Sequence, residues 1–173
     1  MNSTVKDILE RRSIRKFKPE QITEDELNTV LKAGMYAPTA MNRQSPIMVV
    51  LQNKETIEKV AKLNAKVMGR EANPFYGAPT VIIVFADSTI GTYIEDGSLV
   101  MGNLMNAAHA IGLGSCWVHR AKEVFESEEG KALLKEWGVD EKYVGIANCL
   151  LGYKAMEQPK AAPRKDDYVI YVK

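Results

Sequence analysis

Two short runs in this chain contain no polar side chain: Ile47 to Leu51 and Val81 to Ala86, both partly β-branched. A strand with one face in water alternates apolar and polar residues, so runs without alternation predict strands covered on both faces. Such strands need helices above and below them, and helical periodicity flanks each run. Thr23-Glu-Asp-Glu26 is a capping box, in which the Thr23 hydroxyl accepts from the third helical N–H and Glu26 reaches back. Leu27, Val30, Leu31 and Met35 then recur at helical spacing until Pro38 forces Ala37 toward extended geometry and opens a flexible loop to Ser45. Ile57, Val60, Ala61, Asn64 and Val67 mark a second helix, and Ile94, Met101, Leu104, Met105, Ala108 and Ile111 a longer one that Gly112 ends. That helix carries Gly97, Gly102, Ala107 and Ala108, which allow close packing at a dimer interface or in a crowded core. Cys116 to His119 begins an extended stretch, a helix is expected around Lys131 to Trp137, and Tyr143 to Leu151 is the last strong strand. Strands alternating with helices argue for an α/β or α+β sandwich in one layered domain over 1–173. The arm over 153–173 is polar and proline-bearing to Lys165, then strand-like from Tyr168 to Val172, with a partner subunit as its natural anchor.

Charge and composition remove several classes of function. The 23 basic and 22 acidic residues leave a net charge of +1, which offers no field for nucleic acid or an acidic membrane. With 46% hydrophobic residues the chain of 173 fits one core, and a globule of this size buries about 70% of its unfolded surface. The apolar runs fall far short of the ~20 residues that span a bilayer, and the start of the chain lacks a signal-peptide stretch, so a cytoplasmic protein is expected. Cys116 and Cys149 form no C-x-x-C, and with only His109 and His119 besides them neither a zinc cluster nor a disulfide is expected. Gly112-Leu-Gly114-Ser-Cys-Trp117 starts like a dinucleotide fingerprint, but Trp117 replaces the third glycine and the segment follows a helix where a strand is required. No Walker lysine loop or G-x-S-x-G elbow occurs. His109, isolated inside the long helix beside its apolar stripe, reads as structural.

Three segments remain as candidates for chemistry. Arg11, Arg12, Ser13 and Arg15 gather three guanidinium groups and a hydroxyl, followed by Lys16 and Lys18. Guanidinium forks match the oxygens of a phosphate monoester, while a solvated charged face is the competing reading. Pro38, Thr39, Ala40, Met41 and Asn42, with Arg43 and Gln44, mix small, polar and thioether side chains that suit a flat ring, though the segment also reads as an ordinary loop. Trp117, Val118 and His119 beside Cys116 offer an aromatic ring and backbone amides to a cofactor.

Together these segments resemble the nitroreductase family of FMN enzymes over most of the chain. Arg11-Arg-Ser-Ile-Arg-Lys-Phe17 is similar to the family's amino-terminal R-R-S-x-R-x-F signature, and Ala33 to Gln44 to its helix-to-loop motif. Gly77 to Val84 resembles the next family strand, Ala107 to Trp117 its core helix and strand, and Pro163-Arg-Lys165 its basic carboxyl-terminal motif. The resemblance implies an α+β sandwich, a mainly antiparallel sheet flanked by helices, in a homodimer with exchanged terminal arms and two FMN sites at its interface. It assigns Arg11, Arg12, Ser13, Arg164 and Lys165 to the FMN phosphate and Arg15 to the pyrimidine edge, where a cation would stabilise the anionic reduced ring. It brings Pro38 to Asn42 from the partner, and sets Trp117, Val118 and His119 on the other side of the ring.

Two departures bear on substrate range. Ser45-Pro46-Ile47 stands where larger members carry a proline and tryptophan, and Asn73-Pro74 where some place a lysine, with Asn73 a candidate to take over its contact. The chain resembles the compact branch, which lacks inserted helices over the site. The activity implied is hydride transfer from NADH or NADPH through FMN to a nitroaromatic, quinone or other small flat acceptor, in a ping-pong cycle with no protein nucleophile. Specialised reductive dehalogenation or alkene reduction, and a flavin-binding or flavin-storing protein with little turnover, stand as alternatives.

Overall fold

The computed structural model describes residues 1–173 and has the α+β architecture expected. Its elements in chain order are α1 (Ser3–Glu10), α2 (Glu24–Met35), β1 (Pro46–Leu51), α3 (Lys54–Met68), β2 (Thr80–Asp87), α4 (Tyr93–Ala110), β3 (Gly114–Val118), α5 (Ala121–Glu126), α6 (Glu128–Glu136) and β4 (Tyr143–Gly152). The strands form one four-stranded sheet in the order β1-β2-β4-β3, with every pair antiparallel.

The unbroken apolar run of β2 is explained by the layers on either side. Val81, Ile83 and Phe85 point into a core shared with Val60, Phe75 and Phe125, while Ile82, Val84 and Ala86 point into another shared with Val30, Met101 and Leu104. All six side chains from Val81 to Ala86 are fully buried. Each large aliphatic or aromatic among them contributes about 1.5–3 kcal/mol of transfer free energy. β1 departs from the expectation of a strand covered on both faces. It pairs only with β2 and is half-buried from Pro46 to Val50, so an apolar edge is open in the single chain. The opposite edge is closed: Ser13 bridges Ser115 of β3 in parallel, with the Ile14 N–H donating to the Ser115 carbonyl at 2.9 Å.

The capping box forms as its spacing requires. The Glu26 N–H donates to Thr23 Oγ1 at 3.2 Å and the Thr23 N–H to Glu26 Oε2 at 2.8 Å, with the Tyr153 hydroxyl on the same oxygen at 2.8 Å. α2 ends at Met35, before the reach of Pro38. Two helices lie outside the sequence reading. α1, capped by Asn2, buries none of its residues, so its Val5, Ile8 and Leu9 stripe has no core behind it. The helix expected around Lys131 to Trp137 is α6, and α5 precedes it unforeseen, the two divided at Ser127, whose Oγ accepts from the Gly130 N–H at 3.1 Å. Gly130 is required there, because a Cβ would collide with the Val124 carbonyl oxygen.

The small residues of α4 serve two purposes. Gly97 packs on the chain's own sheet, where a Cβ would stand 2.6 Å from Ile146 Cγ1, and Ala108 is buried in the same core. Gly102 faces open space. The arm with strand-like residues from Tyr168 to Val172 forms no strand in the single chain: Asp166–Tyr168 is a short 3-10 turn and the residues after it are irregular and exposed, Ile170 at 85% and Val172 at 95%. A strand needs a neighbour to bond, and the tail has none within its own chain.

Candidate functional site

The arginine cluster sits where α1 ends against β3. The Arg11 N–H closes the helix on the Asp7 carbonyl at 2.9 Å, and the chain then turns into the bridge between Ser13 and Ser115. Arg12 Nη1 donates to the carbonyls of Leu9 at 2.8 Å and Arg11 at 2.6 Å, which fixes its guanidinium across the helix end. Arg11 Nη1 and Arg12 Nε are buried and have no hydrogen-bond partner. An unpaired buried donor costs about 1–3 kcal/mol, more when charged, and an anion would supply the acceptors that these two nitrogens lack. The observation favours the phosphate reading of the cluster over a solvated face.

The carboxyl-terminal segment closes over this region. The Arg15 N–H donates to Met156 Sδ at 3.3 Å, Lys154 bridges Phe17, and Gln158 Nε2 donates to the Glu10 carbonyl at 2.7 Å. The Arg15 side chain is exposed. Arg164 and Lys165 are not brought to the cluster: Arg164 donates to the Ala162 carbonyl at 3.1 Å, Lys165 pairs with Asp167, and both are exposed. Cys116 is buried in the core, where burial pushes its thiol pKa up against the opposing effects of Arg15, Ser13 and Arg11. Trp117 is half-buried, Val118 buried, and His119 exposed just before Arg120, which takes φ +79° to start α5. Burial and Lys154 lower the pKa of His109, against Asp7 and Glu10.

The loop after α2 is not loose. Met41, Asn42 and Gln44 have φ of 50°, 53° and 51°, the left-handed region, which costs an L-residue roughly 1–2 kcal/mol. The Gln44 N–H donates to Thr39 Oγ1 at 3.1 Å and the Asn42 N–H to the Thr39 carbonyl at 3.0 Å. Asp96 of α4, absent from the sequence reading, binds the loop from below. It accepts from the Ala40 N–H at 3.0 Å, from Ser45 Oγ at 2.7 Å and from Thr92 Oγ1 at 3.4 Å. Its signal was present as a carboxylate one turn before Val100, on the stripe that α4 buries. A cleft of about 190 Å³ between Gly34, Thr39, Gln44, Met48 and Val100 lies beside the loop. A larger one, about 600 Å³, lies between α5, α6 and β4, away from every candidate residue.

The two halves do not meet in one chain. Asp96, under the loop, and His109, beside Arg11, stand at opposite ends of α4, roughly 20 Å apart along its axis. Asn73 joins neither: its Oδ1 accepts from the Phe75 N–H at 2.8 Å, and it lines a separate cleft with Glu58 and Lys62.

Comparison with known proteins places the whole chain in one family. Residues 8–153 match the model of the Nitroreductase family. A relative from Archaeoglobus fulgidus, provisionally named an NADH dehydrogenase/NAD(P)H nitroreductase, is 32% identical over 164 residues, covering 91% of this chain and 89% of its own length. A crystal structure of a nitroreductase with bound FMN from Bacteroides fragilis superposes with a TM-score of 0.92 at 26% identity, covering 100% of both chains. Another FMN-bound nitroreductase, from Desulfitobacterium hafniense, gives 0.89 at 29% identity with the same coverage.

Proposed function

The chain belongs to the nitroreductase family, and from that premise we propose that it is an FMN-dependent oxidoreductase working as a homodimer, with NADH or NADPH as donor and a small flat acceptor. The observation that carries the reading is the pair of buried, unpartnered nitrogens, Arg11 Nη1 and Arg12 Nε. A terminal phosphate fits them, because its oxygens supply the missing acceptors and its charge neutralises the two guanidinium groups. Ser13 would add a hydroxyl donor, and the reading is supported by structural relatives that carry bound FMN.

Bound FMN would supply hydride transfer from the nicotinamide to a nitroaromatic, quinone or similar acceptor, the two substrates using one face in turn. The work left to the protein is to hold, orient and polarise. Arg11 and Arg12 hold the phosphate, with Arg12 fixed by the Leu9 and Arg11 carbonyls. Arg15, exposed beyond them, places a cation where negative charge develops on reduction. Trp117, Val118 and His119 line one side, and the loop from Pro38 to Asn42 of a second copy covers the other. Arg164 and Lys165 reach the phosphate only if the exposed arm reorders in the dimer.

The test is direct. Adding FMN to the apoprotein should give a yellow complex with a raised melting temperature and weaker binding of FAD, whose phosphate is not terminal. The complex should oxidise NADH or NADPH with a quinone, giving parallel double-reciprocal lines. A protein that stays colourless and gains no thermal stability with FMN would refute the proposal.

A further inference from the structure

We propose that Asp96 is a positioning residue that imposes the left-handed shape of the Met41 to Gln44 loop and, through it, the face on which the acceptor lands. The inference rests on the reading that this loop covers the bound ring. Its physical basis lies in how the loop is pinned. One carboxylate holds both ends: Oδ1 takes the Ala40 N–H at 3.0 Å and Oδ2 takes the Ser45 hydroxyl at 2.7 Å. Of the residues between the pins, Met41, Asn42 and Gln44 are all left-handed, though none is glycine. A chain free to relax would leave that region, because Cβ crowds the following carbonyl there. The conformation persists because the surroundings over-determine it. Asp96 is only 2% exposed, and burying a charge in that way is unfavourable unless its oxygens are bonded. Here they are, and the carboxylate also sits in the first turn of α4, where free N–H groups favour negative charge. The Met41 side chain is 77% exposed and nothing in its own chain covers it. A strained, pinned loop that presents an uncovered thioether serves a molecule outside the chain.

Two substitutions separate positioning from packing. Asp96→Ala removes both pins, whereas Asp96→Asn keeps an acceptor for Ala40 while its amide donates to Ser45 Oγ. In the apoprotein, Asp96→Ala should speed hydrogen exchange of the Ala40 and Gln44 amides by about tenfold or more, the equivalent of one lost charge-assisted bond. In the FMN complex it should alter the visible absorbance of the flavin and raise the KM for a quinone about tenfold, with a smaller change in kcat. Asp96→Asn should restore all three. If Asp96→Ala leaves the exchange, the spectrum or the KM as in the parent protein, or if Asp96→Asn fails as badly, the proposal is overturned. Should Asp96→Ala not fold, Ser45→Ala removes only the Oδ2 pin and must shift the same readouts in the same direction. The exchange measurement needs no flavin, so a parent protein that fails to bind FMN would sink the functional reading by itself, while unchanged exchange in Asp96→Ala would sink this one.

Discussion

Arg11 and Arg15 lie four positions apart yet face different surroundings, and that difference assigns them different tasks. Arg11 has a buried nitrogen without a partner, while the Arg15 side chain is exposed. Arg11→Ala should therefore weaken FMN binding about tenfold or more, through loss of a charge-assisted bond, and leave reduction of the bound flavin intact. Arg15→Ala should make the flavin harder to reduce, with a smaller loss of affinity for the oxidised form. FMN titration and reduction potentials of the two variants check this; equal, negligible effects would return both residues to the solvated surface. Glu26 gives a second residue-scale expectation. The Thr23 N–H, then the Tyr153 hydroxyl, hold its carboxyl below the ordinary range, and Glu26 in turn raises the Tyr153 phenol. A depressed folded pKa gives stabilisation that is present above the unfolded value of about 4.3 and lost as pH falls through the folded value. The raised phenol works oppositely, with stabilisation present below about pH 10 and lost as pH climbs through its folded pKa. Thermal melts of the apoprotein should thus show a flatter acid limb for Glu26→Gln than for the parent; superimposable limbs would remove the carboxylate from the pH dependence. The capping box and the arginine cluster were legible in the sequence because their partners lie within a few positions. Asp96 was not, because Ala40 and Ser45 are 56 and 51 positions away and only the fold brings them to it.

Helix α4 shows how one sequence signal can carry two structural causes. Its small residues suggested close helix contact, and the structure divides them: Gly97 yields to Ile146 of its own sheet, whereas Gly102 yields to nothing in the chain. The two positions should therefore respond differently to the same change. Gly97→Leu should overpack the core and destabilise the subunit by about 1–3 kcal/mol, while Gly102→Leu should leave the subunit fold intact and weaken assembly. Melting temperature and native mass, measured on both variants, separate these outcomes; a stable dimer of Gly102→Leu would remove that face from the interface. Strand β2 was readable because a buried strand writes its environment into consecutive residues, whereas β1 carries the same kind of run and lies half-buried at the sheet edge. Helix α1 was missed, and both it and the tail have apolar residues that the single chain leaves exposed. Periodicity in Val5, Ile8 and Leu9 predicts burial, yet all three stay exposed. Strand-like residues from Tyr168 to Val172 predict a ladder that no neighbouring strand offers.

At the scale of the whole molecule the proposed dimer would account for these loose ends together. The open apolar edge of β1, the bare stripe of α1, exposed Met35, Tyr36, Ile94 and Leu99, and the uncovered tail are apolar groups that the single chain leaves in water. The loop and the arginine cluster of the proposed site stand apart as well, with Asp96 and His109 roughly 20 Å from each other along α4. A twofold homodimer would resolve both by setting the loop of one copy against the arginine cluster of the other. Complementation decides whether it does. Arg11→Ala spoils the phosphate half, and Met41→Asp spoils the loop half by setting a carboxylate against the ring face. Each homodimer then carries two defective sites. If every site lies within one chain, co-refolding the two variants cannot repair anything, since each chain keeps its own defect. If every site is shared, the mixed dimer holds one doubly defective site and one intact site. Random pairing makes half of the dimers mixed, so about a quarter of all sites should recover parental FMN affinity and turnover. A mixture that binds FMN no better than its parents would place the whole site within a single chain.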